Sequence, residues 1–190
     1  QRIGKVVATV TSDRRVKAEL PKHRQGRLLV VGERPGREEI GEDRPFVGPS
    51  GQRLMLFLAC AGLWRPAVGW TNACSHPRGW RKLSRKEQSR EIHRLTGEMK
   101  QFSAFLSVGE DAHAAMSRAL KRKAEKLKTG PMGWQVTGDN FFLRHPSPGN
   151  HFYNPIWSRP SHPKYRDCLQ GFRRFLKNAR VMPSPYCPGP

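Results

Sequence analysis

The chain has 190 residues, of which 35 are Lys or Arg and 15 are Asp or Glu, giving a formal net charge of +20. That length suits one domain with a hydrophobic core and is short for two. The charge points to a polyanionic partner, nucleic acid first, although it would equally suit a basic component of a ribosome or a capsid.

Residues 1–25 are polar and basic with one β-prone piece, KVVATV, and are expected as a basic N-terminal arm or an edge strand. GRLLVVG, 26–32, is a continuous apolar run ended by glycine, the pattern of a strand buried on both faces of a parallel sheet. A loop rich in Gly and Pro follows, then a helix from Gln52 to Gly62 with Leu54, Phe57, Leu58 and Ala61 at core spacing. AVGWTNA, 67–73, reads as a second strand, and the basic stretch after it runs into an amphipathic helix. FSAFLSVG, 102–109, is a third buried strand, followed by the helix EDAHAAMSRALKRKAEKL. Residues 134–144 read as a hairpin or two short strands around Gly138-Asp139-Asn140. The last helix spans about YRDCLQGFRRFLKNARV, inside a domain expected over 26–180, and 181–190 form a tail without expected order. Alternating strands and helices predict an α/β fold: a three-layer α/β/α sandwich around a mainly parallel sheet of about four strands. Their carboxyl ends, near Gly32, Asn72, Gly109 and His145, should lie along one edge, where such sheets bind ligands.

No window has the long apolar run of a membrane span, and the N-terminus lacks the apolar core of a secretion signal. A cytoplasmic or nucleoid-associated protein that is not secreted is expected, acting on DNA as a monomer. Cys60, Cys74, Cys168 and Cys187 contain no C-x-x-C pair, so reduced thiols are expected, with no metal and no cofactor.

Gly32-Glu33-Arg34-Pro35-Gly36, the acidic Glu38-Glu39, and Arg44-Pro45-Phe46-Val47-Gly48-Pro49-Ser50-Gly51 together resemble the first motif of the uracil-DNA glycosylase superfamily, nearest its family 4 branch. Thr71-Asn72, LSVGEDAHAAM and His145-Pro146-Ser147-Pro148 match further motifs in order, so the resemblance covers roughly 26–176. It implies the glycosylase-like sandwich, base flipping in DNA and hydrolysis of an N-glycosidic bond.

Within that resemblance, Phe46 would give an aromatic face to an extruded pyrimidine, a contact of ~1–3 kcal/mol in single-strand binders. Asn72 would read the base edge, since an amide sets donor and acceptor side by side. Alone, that asparagine would read as a turn residue. His145 would stabilise the departing base anion, with Glu33 and Arg34 as further catalytic candidates. Ser50, Gly51, Ser147 and Pro148 would contact the DNA strand, and Arg78, Arg81, Lys82, Arg85, Arg144, Arg159 and Lys164 its phosphates. Each of these cations, taken singly, is an ordinary solvated surface charge.

Two departures stand out. Family 4 enzymes hold an iron-sulfur cluster with four cysteines, whereas only Cys74 here stands near a ligand position. Arg34 occupies a place that is commonly acidic, amide or small. Pointed at the sugar from ~4 Å, its charge would oppose the developing cation by ~4 kcal/mol at an effective dielectric of 20. A base bearing a phosphorylated substituent would instead welcome it. Two alternatives therefore stand beside the glycosylase: a transferase modifying such a base, and a DNA-binding relative without chemistry.

Overall fold

The computed structural model describes residues 14–21, 27–121, 133–144, 154–157 and 159–181. KVVATV and the segment 145–150, which carries His145, Ser147 and Pro148, fall outside them.

Five strands form one sheet: β1 (Leu28–Gly32), β2 (Gly69–Asn72), β3 (Ala104–Val108), β4 (Trp134–Thr137) and β5 (Asn140–Leu143), in the order β2-β1-β3-β5-β4. β1 pairs in parallel with β2 and β3, and β3 with β5, so the carboxyl ends of those four strands share one edge. The expected count of about four becomes five because β4 joins antiparallel as the outer arm of a hairpin. Its two-residue turn is Gly138-Asp139, with Gly138 at φ 61°. The helices are α1 (Arg37–Glu42), α2 (Pro49–Cys60), α3 (Arg85–Met99), α4 (Glu110–Ala119), α5 (Asn154–Trp157) and α6 (Pro163–Asn178).

The strands alternate between two cores, as the period of two in a pleated strand requires. Leu28 and Val30 of β1 and Leu106 of β3 face Phe57, Leu58 and Phe172 of α2 and α6. Leu29, Val31 and Phe105 face Leu95, Met99, Ala112 and Met116 of α3 and α4. This is the three-layer sandwich, with β1 buried along its whole length. The α2 helix begins at Pro49 rather than Gln52, since a proline at the first helical position lacks only an N–H that has no intrahelical partner. The α1 helix was not foreseen, being six residues long and mostly charged; its Glu39 turns inward and accepts the Gly48 N–H at 3.2 Å. A capping box opens α3, where Ser84 and Glu87 satisfy each other's backbone amides.

Of the N-terminal segment, 14–21 lies along the free side of β2. Glu19 and Trp70 exchange two backbone hydrogen bonds of 2.8 Å as an isolated antiparallel bridge, and Val16 N–H donates to Ser75 O at 3.0 Å. Val16 is buried there.

Candidate nucleic-acid site at the sheet edge

The edge is organised around Gly32, the last residue of β1. A Cβ at this position would overlap Asn72 Oδ1 and lie 2.7 Å from Phe46 Cζ, so the missing side chain is what lets those two groups meet. Register places Asn72 beside Gly32, at the same depth of the sheet. Phe46 arrives from the α1–α2 loop with φ 57°, a left-handed conformation that costs a non-glycine residue on the order of 1 kcal/mol. Gly51 fits beneath it, because any Cβ there would strike the Phe46 backbone. The Phe46 ring rests on Trp70, with centroids 5.3 Å apart and planes at 56°.

Asn72 is 6% exposed as a residue, and its side-chain amide makes no hydrogen bond among the described residues. The amide atoms are not among the sealed, unsatisfied polar groups, so they reach solvent at the sheet edge, open to a ligand. Ser50 and Gly51 sit in the first turn of α2, whose N-cap Gly48 has no capping side chain of its own and donates its N–H to Glu39.

Glu33 and Arg34 turn to the neighbouring side. Glu33 accepts the Asp111 N–H at the start of α4, at 3.2 Å, and packs against Gly109, which has φ 98°. Burial pushes the Glu33 carboxyl above its usual range; the α4 amides oppose this, and the charges of Asp111 and Glu110 add to the rise. Arg34 does not ion-pair with Glu33: its Nη1 donates to Pro77 O at 3.0 Å and its stem lies against Gly79. The side chain is exposed.

Both residues line a cleft of about 420 Å³ with Arg78, Arg81, Lys82, Glu110, Asp111 and Arg144 among its walls. Its cations are mostly engaged with acids at the surface. Arg81 Nε donates to Asp111 Oδ1 at 2.9 Å, Arg78 pairs with Glu87 at 3.4 Å, and Arg144 with Glu110 at 3.5 Å. The Lys82 ammonium has no ion pair among the described residues. Neither Phe46 nor Asn72 lines this cleft, so the described part of the edge holds two adjoining places, a floor at Gly32 and a charged cleft past Glu33. Arg85 opens α3, while Arg159 and Lys164 stand near the start of α6; none of the three lines the cleft.

Cys74 is buried and donates to His76 O at 3.1 Å, and burial raises its thiol pKa, the state of an inert thiol. Sequence reasoning missed the groups around it. Glu91 receives the Ser75 N–H and Oγ at 3.0 Å each, and Arg94 donates to Asn72 O at 2.6 Å. Their only sequence signal was charge at core spacing on an otherwise polar helix. No helix among the described residues is long and apolar enough to cross a membrane.

A family model for the uracil DNA glycosylase superfamily matches residues 21–177, which span all five strands and all but the last residue of α6.

Proposed function

The chain belongs to the uracil DNA glycosylase superfamily, a family that acts on DNA, and we propose that this protein extrudes a pyrimidine from DNA, holds it between Phe46 and Asn72, and hydrolyses its N-glycosidic bond, with uracil as the base. The observation that carries the proposal is the meeting, over Gly32, of a fixed aromatic ring and an amide that no group among the described residues occupies. An amide in that position can serve both the O4 and the N3–H of uracil.

In this reading the base leaves as an anion stabilised by the His145 side chain, which lies outside the described residues. Glu33 supports the positive charge developing on the sugar and orients the attacking water. Its raised pKa ties that role to pH, since only the carboxylate can perform it. The DNA strand runs from the first turn of α2 at Ser50 and Gly51 toward Arg78, Arg81 and Lys82, whose surface ion pairs exchange for phosphates. Ser147 and Pro148 complete the contact with the strand. Arg34, held at Pro77 O and exposed, directs its charge along that phosphate path and away from the sugar. The protein acts as a monomer in an intracellular, reducing setting, without metal or cofactor.

The test is release of free base from single- and double-stranded oligonucleotides containing uracil. Free uracil and an abasic site are expected, and His145→Ala should lower the rate far more than it weakens binding. Uracil-containing DNA that is bound but never cleaved would overturn the hydrolase reading.

The cleft favours one second reading. Five cations, Arg34 among them, around about 420 Å³ could receive a phosphorylated substituent on the base, in a transferase that leaves the glycosidic bond intact. Arg34→Gln separates the two: excision continues or improves in the hydrolase, whereas a transferase acting on a phosphorylated base loses activity.

A further inference from the structure

The backbone under each of the two recognition side chains is held by one arginine. Arg65 donates from Nη2 to Pro45 O at 2.6 Å and from Nη1 to Phe46 O at 3.3 Å, with its guanidinium 5.0 Å from the centre of the Trp70 ring. Arg94 donates from Nη2 to Asn72 O at 2.6 Å and Ala73 O at 3.4 Å. A planar guanidinium can span two successive carbonyls and a carboxylate at once, which an ammonium cannot.

Each guanidinium is itself fixed by acids. Glu19 Oε2 accepts from Arg65 at 2.6 Å, while Glu91 and Glu98 accept from Arg94 at 2.8 Å and 2.7 Å. Both sets lead to one stretch of chain. Glu19 belongs to the segment 14–21, and from the same segment Arg15 reaches Glu91 Oε1 at 3.1 Å and Val16 bonds Ser75 O. The segment therefore bonds the holder of the Phe46 loop directly at one end, and at the other reaches Glu91, one of the acids that fix the holder of the Asn72 loop.

We propose that Arg65 and Arg94 are positioning residues that set the Phe46 ring against the Asn72 amide, and that residues 14–21 are the strap coupling them, with Glu19 as its latch. The inference rests on the reading of Phe46 and Asn72 as the base-holding pair. Phe46 needs such a holder because its left-handed backbone has no glycine to ease it. Within the strap, Leu20 packs against the cluster of Leu29 and Val31, whereas Leu28, Val30, Phe57 and Leu58 form the other cluster, to which neither Arg15 nor Glu19 contributes.

The experiment compares Glu19→Gln, Glu19→Asp, Arg65→Lys and Arg44→Gln in the full chain. Arg44 is the more exposed of the two cations on Glu19 and, although it opens the Phe46 loop, its observed side-chain bonds go to Glu19 alone and to no carbonyl of either loop. Two quantities are read: the ratio of affinities for a single-stranded oligonucleotide with one uracil over the same strand with an abasic site, and hydrogen exchange of peptides 44–51, 71–76 and 104–108. Glu19→Gln and Arg65→Lys should cut the affinity ratio roughly tenfold, as small misplacements do, and speed exchange in 44–51; Glu19→Gln should also speed 71–76. Exchange in 104–108 and the salt dependence of total DNA binding should not move, Glu19→Asp should restore part of the ratio, and Arg44→Gln should leave both readouts near wild type. Unchanged exchange in both loops overturns the strap, as does equal loosening of 104–108, which would make Glu19 a general stabiliser. Absence of any uracil preference in the wild type would remove the base-holding reading, while the exchange pattern would still decide whether the strap sets the loops. Should Glu19→Gln fail to fold, Arg65→Lys carries the same comparison.

Discussion

Two groups of arginines lie within the same edge of this protein and do different work. Arg65 and Arg94 have side chains only 17% and 25% exposed, and each binds backbone carbonyls together with carboxylates. Arg78 and Arg81, 47% and 75% exposed, meet acids directly but at the solvent-facing surface. One cationic side chain type thus serves as internal scaffold where water is excluded and as exchangeable counter-charge where it is not. Net charge therefore overstates the nucleic-acid footprint, since part of it is consumed inside.

The comparison breaks first at Arg94. Arg94→Met removes the cation facing Glu91, which is 4% exposed, and should cost about 3 kcal/mol of stability by chemical denaturation. A loss no larger than that of an exposed arginine would put Arg94 in the other group. Glu91 supplies a pH signature for the same region. Burial alone would raise its pKa, but the Arg94 charge and the Ser75 amide outweigh burial and leave it below the usual value. Its contribution is accordingly present above the unfolded carboxylate pKa and is lost as pH falls through the lowered folded one.

Asn72→Ala should show the converse pattern, a functional loss without a folding loss. Its amide has no partner among the described residues, so melting should hardly change, while preference for uracil-containing DNA should fall by ~1–3 kcal/mol. A matching drop in stability would mean that the amide serves the fold.

Glu33 divides stability from activity by sign. Because its folded pKa is raised, its carboxyl favours the native state below the unfolded pKa, and that advantage is lost as pH rises through the folded one. Glu33→Gln should therefore raise the melting temperature at neutral pH and abolish the acid limb of the pH–rate profile, a limb lying above the ordinary carboxylate range. A variant that melts lower, or a profile that keeps its limb, would detach Glu33 from the chemistry.

The smallest expected effect on the fold belongs to the rim. Arg78→Ala with Arg81→Ala should leave melting unchanged and reduce the slope of log affinity against log salt on duplex DNA by up to about 2. An unaltered slope would move the footprint to another face.

Much of the framework was legible from residues. The runs LLVV and AFLSV become the central buried strands, and the glycines after or at their ends mark where backbone must come close or bend left-handed, as Gly32 and Gly109 do. Those signals are local. The Asn72 and Phe46 juxtaposition came through motif resemblance, and the structure supplies its physical reason in the absent Cβ of Gly32. Arg65 was illegible because its partners lie far away in sequence; Glu91, Arg94 and Glu98 have the spacing of ordinary surface helix pairs, and only their distant partners, Ser75 and the Asn72 carbonyl, show that they face inward. Glu39 escaped for a related reason: its short acidic helix resembles a solvated loop until the Gly48 amide is seen to need an acceptor.

The order β2-β1-β3-β5-β4 also bears on how the protein comes to be folded. The floor needs the end of β1 beside that of β2, and the Glu33 wall needs β1 beside β3, pairings that only long crossovers supply. Hairpins such as β4–β5 can zip up early, but parallel neighbours wait for chain closure over large sequence distances, the slow part of folding. This edge of the sheet consequently has no local precursor. It comes into being with the sheet as a whole, so an isolated fragment of the chain carries the motif without the pocket.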